Sequence, residues 1–303
     1  MTSLFSTLAF EGRGTGGPPV VLVHGFPLDR GMWAAQLEGL GGLARVVSVD
    51  LPGFGDSPPR PDDSPFTVEE MAEDVLALAD GLGFDRFVAG GLSMGGYVVF
   101  ALLRVAPERI AGVLLCDTRA EPDAPETRKQ RLADAEKIAV HGTGFLVDMS
   151  LRTQLSADTH VRRRDIVTAL EVMMRRATPA GVAQTLCGLA ERPDARPQLR
   201  HIAVPTLVVV GADDTITPPA SCQAMAAQIP GAEVAVIAGA GHIAPFEAAE
   251  PVNVVTRKLL RRVAAAGVAP APLSPARLAA QAADGDYEHD EPTIANPPGP
   301  RKR

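Results

Sequence analysis

Six short runs of apolar, mostly β-branched residues are spaced along the chain, with longer helical patterns between them. The runs cover residues 20–24, 45–50, 86–90, 110–117, 205–210 and 233–238. In the intervening stretch 68–82, for example, apolar residues recur at helical steps, as Met71, Val75 and Leu78 do. Runs that are apolar on both faces and alternate with helices are typical of a parallel sheet covered on both sides. The pattern therefore predicts an α/β fold with a mostly parallel central sheet.

The alternation stops between residues 119 and 199, where the pattern is helical throughout and rich in Arg and Glu. A helical insertion between two parallel strands would cover the strands' carboxyl ends, where ligands bind in open α/β sheets. We therefore predict a core of residues 1–118 and 200–266 and a helical cap of residues 119–199. From residue 267 the composition changes to Pro, Ala, Asp and Gly. Such a segment buries too little apolar surface to offset its ordering entropy, so 267–303 is expected to be a disordered tail.

Composition narrows the class of protein. The chain has 303 residues, 46% of them hydrophobic, and a net charge of −7 without a basic region, which argues against nucleic-acid binding. Three widely spaced cysteines without a CxxC pair argue against a disulfide scaffold or a metal site. No apolar run approaches the roughly 18 residues of a transmembrane helix, and the first ten residues lack a positively charged start. We expect a cytoplasmic protein with no membrane partner.

The segment Gly91-Leu92-Ser93-Met94-Gly95-Gly96 joins a predicted strand to a helical pattern. A serine on such a turn adopts a strained backbone, and glycines two residues away on either side remove Cβ atoms that would clash. The following helix directs its positive dipole end at the serine. The same Gly-x-Ser-x-Gly motif can occur by chance around a serine that only caps a helix. The strand before and the helix after favour Ser93 as a nucleophile.

A serine hydroxyl is a weak nucleophile until a base removes its proton. His242, just after the last predicted strand, is the candidate base. His24 follows the first strand and is expected to shape its loop instead. A base also needs an acid to orient it, and Asp213 and Asp214 both follow the predicted strand 205–210. Only one of these neighbouring side chains can face His242, and their position alone leaves the choice open.

The negative charge that develops on a reacting carbonyl oxygen needs preorganised hydrogen-bond donors. The backbone N–H of Met94, directly after the serine, is one candidate. The backbone N–H of Phe26, in the loop after the first predicted strand, is the other.

Five segments together resemble the α/β-hydrolase superfamily over about residues 4–265. They are residues 24–27, 50–57, 91–96, 211–218 and 241–242. The resemblance implies the α/β-hydrolase fold, a mostly parallel central sheet flanked by helices, with a helical cap inserted after the sixth strand. The chain order Ser93, Asp214, His242 agrees with that superfamily. Its members commonly carry the acid in a Gly-x-x-Asp-x-x-x-Pro pattern, which Gly211 and Pro218 match here, so the resemblance favours Asp214 over Asp213.

Within the superfamily, Ser93 argues against epoxide hydrolases and haloalkane dehalogenases, which place an aspartate at this position. The chain is most similar to bacterial carboxylesterases and 3-oxoadipate enol-lactonases. Cofactor-free haloperoxidases, which also act as esterases and perhydrolases, and carbon–carbon bond hydrolases are the alternatives. We expect hydrolysis of small carboxylic esters or lactones through an acyl-enzyme, without metal or organic cofactor. A non-catalytic binding protein on the same scaffold is the alternative of another class, and the oligomeric state is left open.

The cap is expected to select the substrate. The candidate pocket residues are Met149 and Met174 in the cap and Trp33, which follows the loop that carries Phe26 (the oxyanion loop). For each of them, ordinary packing is the competing interpretation.

Overall fold

Seven strands form one sheet in the computed structural model, which describes residues 8–62 and 64–268. The strands are β1 (Phe10–Arg13), β2 (Pro19–Val23), β3 (Arg45–Val49), β4 (Phe87–Leu92), β5 (Ile110–Cys116), β6 (Thr206–Gly211) and β7 (Glu233–Ile237). Their order is β1-β3-β2-β4-β5-β6-β7. Only β1 is antiparallel to its neighbour among these strands. The predicted mostly parallel sheet is confirmed.

The six predicted strands agree with β2 to β7 within two residues at each end. β1 was not predicted, because Phe10 is the only large apolar residue among its four, and none of the four is fully buried. An edge strand of this kind leaves no apolar run in the sequence.

Both faces of the sheet are covered, as side-chain alternation along a strand requires. In β2, Val20 and Leu22 belong to an apolar cluster that includes α1 (Ala34–Leu40) and α12 (Ala249–Ala265). Val21 and Val23 belong to the cluster on the other face, with α2 (Val68–Gly81), α3 (Met94–Val105) and α10 (Pro219–Ala226). The short helix α11 (Ala244–Glu247) precedes α12. The α/β-hydrolase architecture expected from the sequence is therefore present.

Six helices and no described strand lie between β5 and β6. They are α4 (Pro125–His141), α5 (Gly144–Gln154), α6 (Ala157–Arg162), α7 (Arg164–Arg176), α8 (Pro179–Ala190) and α9 (Arg196–Leu199). This stretch corresponds to the predicted cap. Within the described residues it follows the fifth strand, so its expected place after the sixth is corrected there: the edge strand β1 and four inner strands precede it. The boundaries 1–118, 119–199 and 200–266 stay predictions.

The predicted tail comprises residues 267–303, of which 269–303 lie outside the described residues. Across the described ranges, no helix is both long and apolar enough to cross a bilayer.

Candidate active site

Ser93 lies on a sharp turn between β4 and α3, with φ 51° and ψ −108°. A Cβ on Gly91 would lie 2.1 Å from the carbonyl carbon of Gly95, and one on Gly95 would lie 2.2 Å from the carbonyl oxygen of Val23. Because these are backbone atoms that cannot move aside, the turn requires glycine at both positions. The N–H of Ser93 donates to the Cys116 carbonyl at 2.9 Å, so the turn is tied to β5.

Ser93, His242 and Asp214 meet at the carboxyl edge of the sheet, after β4, β7 and β6 respectively. The Nε2 atom of His242 lies 2.9 Å from the Ser93 hydroxyl oxygen. The Nδ1 atom of His242 lies 2.9 Å from Oδ2 of Asp214. The serine hydroxyl, the imidazole and the carboxylate thus form one continuous hydrogen-bonded line. Asp213 stands outside it, with an exposed side chain.

Asp214 is held by several donors. Its Oδ1 accepts the backbone N–H groups of Ile216 at 2.8 Å and Thr217 at 3.0 Å, and its Oδ2 accepts the Thr217 hydroxyl at 2.6 Å. Burial alone would raise the pKa of Asp214, but the hydrogen bonds and charge of His242 and the bonds from Thr217 outweigh it and lower the pKa. An ionised Asp214 accepts from Nδ1–H of His242, which leaves the Nε2 lone pair facing Ser93.

Asp117 is a buried acid that contacts the loops carrying Asp214 and His242. Sequence reasoning missed this role. Asp117 lies at the end of β5 with φ 44°. Its Oδ1 accepts a hydrogen bond at 2.8 Å from the N–H of Gly211, where the loop that carries Asp214 begins. Its Oδ2 accepts one at 3.2 Å from the N–H of Ala244, two residues after His242. Burial and the neighbouring charge of Asp214 raise the pKa of Asp117 well above its ordinary value. Its only signal in the sequence is an acid at the end of an apolar strand.

His24 has both ring nitrogens engaged by backbone. Its Nε2 lies 3.0 Å from the N–H of Leu51, and its Nδ1 lies 3.0 Å from the carbonyl oxygen of Gly25. Since Nε2 must accept and Nδ1 must donate, the ring is neutral, and burial lowers its pKa. His24 therefore holds its loop, as the sequence predicted.

Met94 is the first residue of α3, and Phe26 lies in the loop after β2. Within the described residues, neither backbone N–H donates to a protein acceptor. The Phe26 carbonyl is held by Gln154, at the end of α5, whose Nε2 donates to it at 3.0 Å. Sequence reasoning missed Gln154, because nothing in its local sequence marks it.

The three candidate pocket residues are not all brought together. Trp33 and Met174 are fully buried in one apolar cluster. Met149, on α5, is 49% exposed and lies outside that cluster. A pocket role for these residues stays a prediction. In the part of the chain that the structure describes, no cluster of three His, Cys, Asp or Glu side chains is placed to hold a metal ion.

A mostly parallel sheet, a helical stretch after β5 and a serine on a strand-to-helix turn define the class of this protein. The family described as alpha/beta hydrolase fold matches residues 18–249. The chain belongs to that family.

Two solved structures are similar over most of the chain. A thermophilic esterase from Thermogutta terrifontis, with malate bound, has a TM-score of 0.82 and 45% sequence identity, and the match covers 84% of this chain and 93% of that one. The enol-lactonase from Burkholderia xenovorans LB400 has a TM-score of 0.77 and 30% identity, over 84% of this chain and 96% of that one.

A longer relative is the dihydrolipoyllysine-residue acetyltransferase component of the acetoin cleaving system of Pseudomonas putida. It is 34% identical over an alignment 265 residues long, which covers 84% of this chain and 66% of that protein. This chain therefore spans slightly less than two thirds of that relative.

Proposed function

We propose that the protein is a serine hydrolase that cleaves small carboxylic esters or lactones through an acyl-enzyme on Ser93. The observation that carries the proposal is the unbroken line from the Ser93 hydroxyl through His242 to Asp214, with 2.9 Å at both junctions. Nucleophile and base within hydrogen-bond reach, with the base oriented by a third group, is the arrangement that activates a serine.

In the proposed reaction, Ser93 Oγ attacks the carbonyl carbon while His242 Nε2 takes the hydroxyl proton. The tetrahedral oxyanion accepts the N–H groups of Met94 and Phe26. His242 then gives its proton to the departing alkoxide, and an ester joins the acyl group to Ser93. Asp214 stays ionised throughout and stabilises the imidazolium.

Deacylation repeats the sequence, with water in place of Ser93 as the nucleophile. Water attacks the acyl carbon, and His242 again acts as the base that takes the proton. Collapse of the second tetrahedral intermediate returns the proton to Ser93 Oγ and releases the carboxylic acid. No step requires a group beyond the chain and water.

The similar solved structures support both substrate classes, since one is an esterase and one an enol-lactonase. The chemistry at Ser93 is the same for both, because a lactone is a cyclic ester whose leaving alcohol remains attached to the acyl group. The complete nucleophile, base and acid argue against a non-catalytic binding protein.

The test compares wild type with Ser93→Ala on p-nitrophenyl esters of increasing acyl length and on a panel of lactones. Loss of the nucleophile typically lowers kcat by about 10⁶. Ser221→Ala, which changes an exposed serine on α10, is the matched control and should retain the wild-type rate. The ratio of kcat/KM for esters and lactones then assigns the preferred class. Full activity in Ser93→Ala would contradict the proposal.

A further inference from the structure

Gln154, the last residue of α5, contacts both loops that serve the proposed chemistry. Its backbone carbonyl accepts the N–H of His242 at 2.8 Å. Its side-chain Nε2 donates to the carbonyl of Phe26 at 3.0 Å. The residue is 7% exposed, so water competes little for either bond. One residue of the cap thus connects the loop that carries His242 (the base loop) with the loop that carries Phe26 (the oxyanion loop).

The orientation of the Gln154 amide follows from its partner. The Phe26 carbonyl can only accept, so the NH₂ group must face it. The N–H and the carbonyl of Phe26 share one Cα, and holding the carbonyl restrains how that residue rotates. The Phe26 N–H lies in the same peptide plane as the Gly25 carbonyl, which accepts from the N–H of Leu28 at 2.8 Å and from Nδ1 of His24 at 3.0 Å. Gln154 holds the following peptide plane, so Phe26 is restrained on both sides only while the Gln154 bond is present.

The cap is fixed to the base loop at the same place. The two oxygens of Glu247 accept the N–H of Ser156 at 3.0 Å and the N–H of Gly241 at 2.8 Å. A Cβ on Gly241 would lie 2.6 Å from the Ser156 nitrogen and 2.8 Å from the Gln154 carbonyl oxygen. The two backbones are therefore in direct contact, and Gln154 cannot shift without moving the residue before His242.

We propose that Gln154 is a positioning residue that sets the Phe26 N–H and the main chain of His242 relative to Ser93. This inference rests on the proposed function, since it assigns Phe26 to the oxyanion. Any residue at 154 keeps the carbonyl bond to His242, so side-chain substitution removes only the bond to Phe26. The expected defect is therefore in stabilising the tetrahedral oxyanion and not in binding the substrate.

The test is Gln154→Leu, which keeps most of the side-chain volume and removes the donor. Loss of a well-placed oxyanion donor costs about 10²–10³ in rate, and a displaced donor costs part of that, so we expect kcat to fall roughly 10- to 100-fold. KM should change little. The inhibition constant of a trifluoromethyl ketone, which adds to serine as a tetrahedral oxyanion, should rise by the same factor as kcat falls. A role confined to stability would not move these two quantities together.

Gln184 offers a matched control. It lies on α8 in the cap, its carbonyl accepts the N–H of Phe66 at 2.9 Å, and its Nε2 donates to the carbonyl of Asp62. Gln184→Leu therefore removes an equivalent bond between cap and core away from the catalytic loops. Its kcat and its inhibition constant should stay at the wild-type values. Gln154→Glu, which puts an oxygen opposite the Phe26 carbonyl, repeats the test if Gln154→Leu folds poorly.

Three outcomes decide the inference. A parallel loss of kcat and inhibitor affinity at position 154 but not at 184 supports it. Equal effects at both positions, or wild-type kcat in both Gln154 variants, overturn the positioning role alone, provided that Ser93→Ala is inactive in the same assays. An active Ser93→Ala overturns the proposed function and this inference with it.

Discussion

Asp213 and Asp214 are chain neighbours in opposite environments, and the difference can be tested directly. Asp214 contacts His242 and is buried, whereas Asp213 is exposed. Asp214→Asn should lower kcat by about 10⁴, because an amide no longer holds the imidazole in the productive tautomer or stabilises its charged form. Asp213→Asn, the matched control, should leave kcat near wild type. Steady-state kinetics on a short p-nitrophenyl ester measures both, and a larger loss in Asp213→Asn would contradict the assignment.

The low pKa of Asp214 predicts how stability depends on pH. A carboxyl whose folded pKa lies below its unfolded value of about 3.9 stabilises the protein above that value, and this contribution disappears as the pH falls through the folded pKa. The difference in free energy of unfolding between wild type and Asp214→Asn should therefore shrink as the pH falls from about 5 through the folded pKa. Urea unfolding at a series of pH values measures it. A difference that grows in acid would contradict the predicted sign.

The residues found from sequence and those that were missed differ in how local their signal is. Ser93 lies between glycines whose spacing reflects backbone contacts within the same turn. Gln154 and Asp117 act through backbone partners 128 and 94 positions away in the chain. A local sequence pattern carries no information about hydrogen bonds between residues so far apart in the chain, so these roles are visible only in the folded structure. The pattern that favoured Asp214 is local, because strand, turn and acid are contiguous in the chain, and it is Asp214 that lies within hydrogen-bond distance of His242.

The turn between β4 and α3 should be the least tolerant element. Gly95→Ala places a Cβ 2.2 Å from the Val23 carbonyl oxygen, which belongs to the central strand β2. Because neither backbone can move aside without a large cost in energy, we expect the free energy of unfolding to fall by about 3 kcal/mol or more. Urea unfolding measures it. Gly144→Ala, at the exposed first residue of α5 with open space around it, should be neutral or stabilise by up to about 1 kcal/mol. Equal stabilities for the two variants would contradict the account of the turn.

The strands were predicted as well as their burial allowed. β2 to β6 are buried along their whole length, and their sequences are predominantly apolar, although β3 includes Arg45 and Ser48. β7 was found although it is largely exposed, because its Val and Ile residues still mark a strand. β1 lacks both signals and is defined by its pairing with β3. The expected sixth strand before the cap came from the resemblance, because four predicted apolar runs precede residue 119; the described residues contain five strands there.

At the scale of the whole molecule, ion pairs tie the cap to the core. Arg176, at the end of α7, pairs with the buried carboxylate of Asp29 at 2.7 Å and also with Asp56. Burial and the charge of Asp50 raise the pKa of Asp29, which Arg176 opposes. Removing Arg176 would leave that buried charge less compensated.

Arg176→Gln should therefore lower the free energy of unfolding by about 1–2 kcal/mol, a value between those of surface and buried pairs because Arg176 is 39% exposed. Arg175→Gln is the matched control, since among the described residues Arg175 pairs with Glu171 on its own helix and with no carboxylate of the core. It should cost less than about 0.5 kcal/mol. Urea unfolding of both variants measures the difference. Equal losses would show that Arg176 does not anchor the cap.

The most direct test of the central claim is covalent capture of the nucleophile. Wild type is treated with a fluorophosphonate, and the adduct is located by mass spectrometry of the intact chain and its peptides. We predict one adduct per chain, on Ser93, formed much more slowly in His242→Ala and absent in Ser93→Ala. An adduct on another residue, or ester hydrolysis that persists in Ser93→Ala, would contradict the claim that Ser93 is the nucleophile of a hydrolase.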